Sequence, residues 1–152
     1  MKIVPYESKY KNDFIKMNLA WISAMFKIES EDERELNHID SYMQKGGQIF
    51  FALNDDEKIM ACCMIAPREG GDWEIMKFAT KEQFAGKGAG SACFKACMDF
   101  AKAKNIEKIL IVTNHKCVEA IHIYRKFGFQ EIPLDRKKFV FERADMVFEK
   151  TL

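Results

Sequence analysis

The chain has 152 residues, 48% of them hydrophobic and 31% charged, a balance that excludes a disordered chain and fits one folded domain with a single sizeable core. Its 24 basic and 23 acidic residues are interspersed and leave a net charge of +1, which argues against nucleic acid or an anionic membrane surface as a partner and for a small ligand. The apolar runs are too short to span a bilayer, and Met1–Glu7 lacks the apolar core of a signal peptide, so a cytoplasmic protein is expected.

Lys2–Pro5 reads as a first strand, and a helix follows over about residues 9 to 25 with Phe14, Met17, Leu19, Ile22 and Phe26 on its apolar side. Ser30 and Glu33 form a capping-box pattern that predicts a second helix over about 31 to 44, ended by Gly46-Gly47. The acidic run Glu29–Glu33 suits the positive end of that helix without any metal. Gln48–Leu53 and Lys58–Ala66 then read as strands joined by a hairpin at Asn54-Asp55-Asp56-Glu57, and Asp72 to Thr80 as a third.

After a glycine-rich turn, a helix over about 88 to 104 puts Cys93, Phe94, Cys97, Met98 and Ala101 on one face. Ile109–Val112 is a continuous apolar run, the pattern of a strand covered on both sides, and a helix crossover into it implies parallel pairing. A last helix over about 117 to 126 stops at Gly128, and strands near Phe129–Ile132 and Phe139–Glu149 end the chain. The expected fold is mixed α/β, in the order β-α-α-β-β-β-α-β-α-β-β. The five cysteines form no CxxC pair and His38, His115 and His122 are scattered, so buried free thiols and no metal site are expected.

The segment Gln83-Phe84-Ala85-Gly86-Lys87-Gly88-Ala89-Gly90-Ser91 joins a strand to a helix. Glycines at 86, 88 and 90 allow close backbone approach, and the helix start offers free N–H donors to a diphosphate; a tight connection with no ligand is the simpler alternative. The spacing is GxGxG, which fits neither the phosphate loop GxxxxGK[ST] nor the dinucleotide pattern GxGxxG.

Gln83-x-x-Gly86-x-Gly88 resembles the Q/R-x-x-G-x-G/A signature of GNAT acetyltransferases. Asn114 after an apolar strand, followed by Ala120-Ile121-His122-Ile123-Tyr124-Arg125-Lys126-Phe127-Gly128-Phe129, resembles that family's N…A-x-x-x-Y-x-x-x-G-F segment. The element order matches over the whole chain, with specific motifs between about residues 72 and 130. The resemblance implies a mixed, mostly antiparallel sheet flanked by helices and a single N-acetyltransferase domain over residues 1–152. It also implies acetyl-CoA as co-substrate, with the acetyl group passed to the primary amine of a small molecule or amino-acid derivative by direct attack on the thioester.

By the same resemblance Phe78, Ala79 and Thr80 would pair with the pantetheine arm, and Gln83 and Gly86 to Ser91, with Lys87 and Ala89 among them, would hold the diphosphate. Asn114 would reach the cofactor arm, its alternative being a helix cap. Tyr124 would protonate the departing thiolate, its alternative being a packed aromatic. Glu74, five residues before Ala79, resembles the general base of histone-type relatives, its alternative being a solvated strand-end carboxylate. A backbone N–H on that strand would serve the oxyanion. The acceptor would contact the first two helices and Arg143–Met146, with Trp21, Phe26 and Trp73 as candidate lining and Asp145 or Glu29 as candidates to hold a cationic amine. A homodimer is compatible with the resemblance, and a non-catalytic acyl-CoA-binding or regulatory module is the alternative function.

Overall fold

The computed structural model describes all 152 residues, Met1–Leu152. Seven strands form one sheet in the order β1-β2-β3-β4-β5-β7-β6. They are β1 (Lys2–Pro5), β2 (Gln48–Leu53), β3 (Ile59–Pro67), β4 (Trp73–Thr80), β5 (Lys108–Thr113), β6 (Gln130–Ile132) and β7 (Met146–Thr151). Pairing is antiparallel throughout except between β4 and β5. The helices are α1 (Lys11–Met25), α2 (Ser30–Leu36), α3 (Ile39–Gln44), α4 (Ala89–Ala103) and α5 (Val118–Lys126).

The sheet is covered on both faces, as the apolar runs of β3 and β5 require. On β3, Ala61, Cys63 and Ile65 join the core beneath α4 and α5, while Cys62, Met64 and Ala66 join the core beneath α1 to α3. The α4 stripe of Cys93, Phe94, Cys97, Met98 and Ala101 is buried as its spacing predicts. All five cysteines are free, and four of them are buried.

Three boundaries differ from the sequence reading. The single helix expected over 31 to 44 is two, broken at Asn37-His38, where the His38 ring nitrogen Nδ1 lies 2.6 Å from the Arg34 carbonyl oxygen. The capping box sits one residue earlier than Ser30 and Glu33: the Asp32 carboxylate accepts the Glu29 N–H at 2.9 Å. The strand expected from Phe139 begins only at Met146, because residues 133–145 leave the sheet and fold across its end, tied to α2 by Glu29 and Asp32.

Candidate active site

β4 and β5 pair only at Trp73 with Ile109 and Glu74 with Leu110. Beyond that point β5 continues along β7 to Thr113, whereas β4 runs on to Thr80 with no strand on its β5 side. The two strands therefore part and leave a wedge in the sheet, along which backbone N–H and C=O groups of β4 lack a ladder partner. A cleft of about 520 Å³ fills the wedge, and residues 74 to 80 of β4, Ile111 to Asn114, Tyr124 and Phe141 are among those that line it.

The glycine-rich turn lies beside this opening. Gly86 and Gly88 have φ of +76° and +79°, and a Cβ on either would meet nothing within 4 Å, so hydrogen-only side chains are needed there for backbone shape and open approach rather than for packing. Ala85 donates its N–H to Glu82 O and Ala92 to Gly88 O, but none of the six amides from Gly86 to Ser91 has an acceptor within the chain. Six donors at the start of a 15-residue helix suit a diphosphate well. Gly90 differs from its neighbours: it is buried, and a Cβ there would stand 2.9 Å from Thr80 Oγ1, so its smallness brings α4 against β4. Gln83 and Lys87 are exposed at the turn, and the Lys87 ammonium lies over the Phe84 ring at 5.9 Å.

Tyr124 is 5% exposed and packs against Phe78, Phe94 and Phe148, with ring centroids 6.3, 5.6 and 5.7 Å away. Burial pushes its hydroxyl well above the usual tyrosine range, so it keeps its proton at neutral pH and can donate it. The Asn114 side chain donates to Arg143 O at 2.7 Å and accepts the Lys116 N–H at 2.8 Å, so it pins the end of β5 to the 133–145 segment. It does not cap α5, whose N-cap is Cys117.

Glu74 is 6% exposed, and Arg68 donates to its Oε1 at 2.5 Å. Its pKa is nonetheless raised to about 7, because burial and the nearby Glu35 carboxylate outweigh the attraction of Arg68. A carboxylate poised near neutrality can accept a proton from an attacking amine. Arg68 is held in turn by the Lys138 carbonyl at 3.0 Å and by the Phe139 ring, 4.6 Å from its guanidinium carbon.

A buried charge network forms the next wall, and sequence reasoning missed most of it. Cys62 pairs with Ala79 and Met64 with Met76, so Cys63 alone faces both Lys77 and Phe78: β4 carries a bulge. Lys77 sits in it at φ +54°, and the extra residue turns its side chain to the α2 face instead of the α4 face that strand alternation would give. There it reaches Glu35 at 2.6 Å and Asp32 at 3.7 Å. Arg143 grips Asp32 with both terminal nitrogens, at 2.7 and 2.6 Å, and reaches Glu29 at 3.3 Å. Burial opposes the charge on Asp32, but Arg143 and the Glu29 N–H hold its pKa below the ordinary value. The available signal was Lys77 itself, a cation inside the apolar strand Ile75-Met76-Lys77-Phe78.

Of the acceptor candidates, Trp21 and Phe26 do line the cleft, with their rings edge to face at 6.4 Å. Trp73 does not; it packs on Phe100 at 6.5 Å under the other face. Asp145 is taken by the His115 ring and backbone, and Glu29 by Arg143 and the N–H groups of residues 142 and 143. Neither is free to hold an amine. A second cleft of about 530 Å³, more polar, meets the first across Glu35, Glu74 and Phe141 and is bordered by Arg34, His38 and Lys45.

Residues 15–129 match the family described as acetyltransferase (GNAT). The chain belongs to this family. The GNAT chain is therefore an acyltransferase, and its fold recurs in solved relatives. An acetyltransferase of the GNAT family from Staphylococcus aureus Mu50 superposes with a TM-score of 0.87 at 21% identity, covering 99% of this chain and 98% of that one. An acetyltransferase from Streptococcus agalactiae 2603 gives 0.81 at 23% identity, with coverage of 99% and 98%. A PaiA N-acetyltransferase from Thermoplasma acidophilum, solved in complex with coenzyme A, gives 0.73 at 15% identity over the full length of both chains. At these identities the likeness establishes the fold. No curated protein matches the GNAT chain by sequence.

Proposed function

We propose that this GNAT acyltransferase moves the acetyl group of acetyl-CoA to a primary amine of a small molecule, and that residues 1–152 act as one domain. The observation that carries the reading is the run of six partnerless amides, Gly86 to Ser91, beside a cleft that also holds a buried, protonated tyrosine and a carboxylate titrating near neutrality. The amides suit the diphosphate, and the unpaired edge of β4 at Phe78, Ala79 and Thr80 suits the amide-bearing arm. Asn114 serves as a clamp that holds the cleft's far wall to the 133–145 segment rather than as a direct ligand.

In this mechanism the amine nitrogen bonds to the acetyl carbon, the carbon–sulfur bond breaks, the amine's proton passes to Glu74 and the Tyr124 proton to the sulfur. Tyr124→Phe tests the role of the hydroxyl. Turnover should fall about a hundredfold or more, the usual size of a general-acid contribution, with unchanged affinity for acetyl-CoA. Thermal unfolding with saturating acetyl-CoA tests the ligand. A ligand at ~100 times its Kd adds about 2.7 kcal/mol, so the transition should move upward with acetyl-CoA and not with ATP or NAD. No upward shift with acetyl-CoA would overturn the assignment.

A further inference from the structure

The end of the cleft away from the glycine turn is bounded by Trp21, Met25, Phe26, Phe141, Glu35 and Arg143. Its surface is aromatic and aliphatic apart from charged groups, and every cation on that side already has a carboxylate. Lys77 is bound by Glu35 and Asp32, and Arg143 by Asp32 and Glu29. Arg68, behind Glu74, is bound by Glu74. Lys116 also lines the cleft, but beside Asn114 and Cys117 on the opposite wall.

The carboxylates are less fully used. Glu35 and Glu74 each engage one oxygen, Oε1, and leave Oε2 without a partner in the chain. Neither Oε2 is a sealed, unsatisfied atom; the Arg68 Nε is the single buried polar side-chain atom in that condition. The lobe therefore offers free acceptors to an ammonium or amine N–H and no free cation to an anion. A carboxylate brought into it would face Glu35 and Glu74 and find no counter-charge, which is a built-in exclusion.

We infer that the acceptor is a primary amine carried on an uncharged, aromatic or bulky apolar body, seated against Trp21, Met25, Phe26 and Phe141 with its nitrogen toward Glu35 and Glu74. This rests on the acetyltransfer reading above and narrows it to a substrate class. The polar second cleft, bordered by Arg34, His38 and Lys45, is the place an anionic acceptor would occupy instead.

The test compares 2-phenylethylamine with phenylalanine, which differ by one carboxylate, as acceptors for the full chain with acetyl-CoA, following thiol release. The expected result is a kcat/KM roughly a hundredfold or more lower for phenylalanine, since like-charge contact in a desolvated site costs several kcal/mol. Phe26→Ala and Met25→Ala should each raise KM for 2-phenylethylamine by about tenfold through lost apolar contact, with KM for acetyl-CoA unmoved. Lys45→Ala should change neither constant. If acetyl-CoA binds but phenylalanine is the equal or better acceptor, or neither amine is acetylated, or Lys45→Ala alone raises the acceptor KM, the class is wrong while the acetyl-CoA reading stands. Failure to bind acetyl-CoA would remove both.

Discussion

Replacing Glu74 by glutamine isolates the energetic consequence of burying a carboxylate in the wedge between β4 and β5. The native pKa of about 7 stands above the ordinary value of 4.5, so the folded protein binds more protons than the unfolded chain between these two values. Stability from this group is then fully present below about pH 4.5 and is lost as pH rises through about 7. This is the reverse of the usual carboxylate, whose pKa folding lowers. The size of the loss follows from the interval between the two values and comes to about 3 kcal/mol. Because Glu74 is 6% exposed, solvent does little to screen it.

The assay is urea unfolding of the wild-type protein and Glu74→Gln at a series of pH values from about 4 to 8, with the difference in stability plotted against pH. Glutamine keeps the shape and can still accept from Arg68, but it cannot ionise. The variant should gain on the wild type by about 3 kcal/mol across the series, most of it between about pH 5 and 7. A flat difference would refute the reasoning, and so would one that grows in the wild type's favour as pH rises, since that would mean Arg68 dominates and Glu74 is an ordinary ion-paired carboxylate. In turnover, the same variant should lose the limb of the wild-type pH profile that falls below about 7.

Gly88→Val forces a β-branched residue to φ +79°, where no atom of the chain would clash with the new Cβ. Stability should fall by about 1–2 kcal/mol from backbone strain alone, while acetyl-CoA binding measured by calorimetry should be lost because the side chain occupies the approach to the amides. Arg143→Ala leaves Asp32 fully buried without its bidentate partner, while the backbone N–H groups of residues 142 and 143 still reach Glu29, so urea unfolding should show a loss of about 3–5 kcal/mol from the stranded charge.

Most elements and the backbone shape of the glycine turn were legible because they depend on local rules. The α4 stripe repeats at helical spacing, the β5 run is apolar throughout, and Gly86 and Gly88 stand where only a glycine adopts the observed φ without strain. The motif singles out Tyr124 and Asn114, and both line the cleft, yet the contact that holds Asn114, clasping Arg143 O 29 residues away, has no local trace. The strand predicted from Phe139 failed for a related reason: residues 139 to 145 read as extended chain, but Glu29 and Asp32, more than 100 residues earlier, hold them off the sheet.

By itself the sequence determined the order of the strands and helices apart from the break between α2 and α3, which faces are apolar, and the turn whose amides are left free, since each follows from periodicity, glycine and capping within a few residues. Only the tertiary structure decided that β4 and β5 part after Glu74, that a bulge swings Lys77 toward α2, and that Glu35 and Glu74 come to share a wall with Trp21 and Phe26. These depend on register between strands and on pairings across the whole chain. A charge's environment, and hence its pKa and its chemistry, is set by what the fold packs around it rather than by its neighbours along the chain.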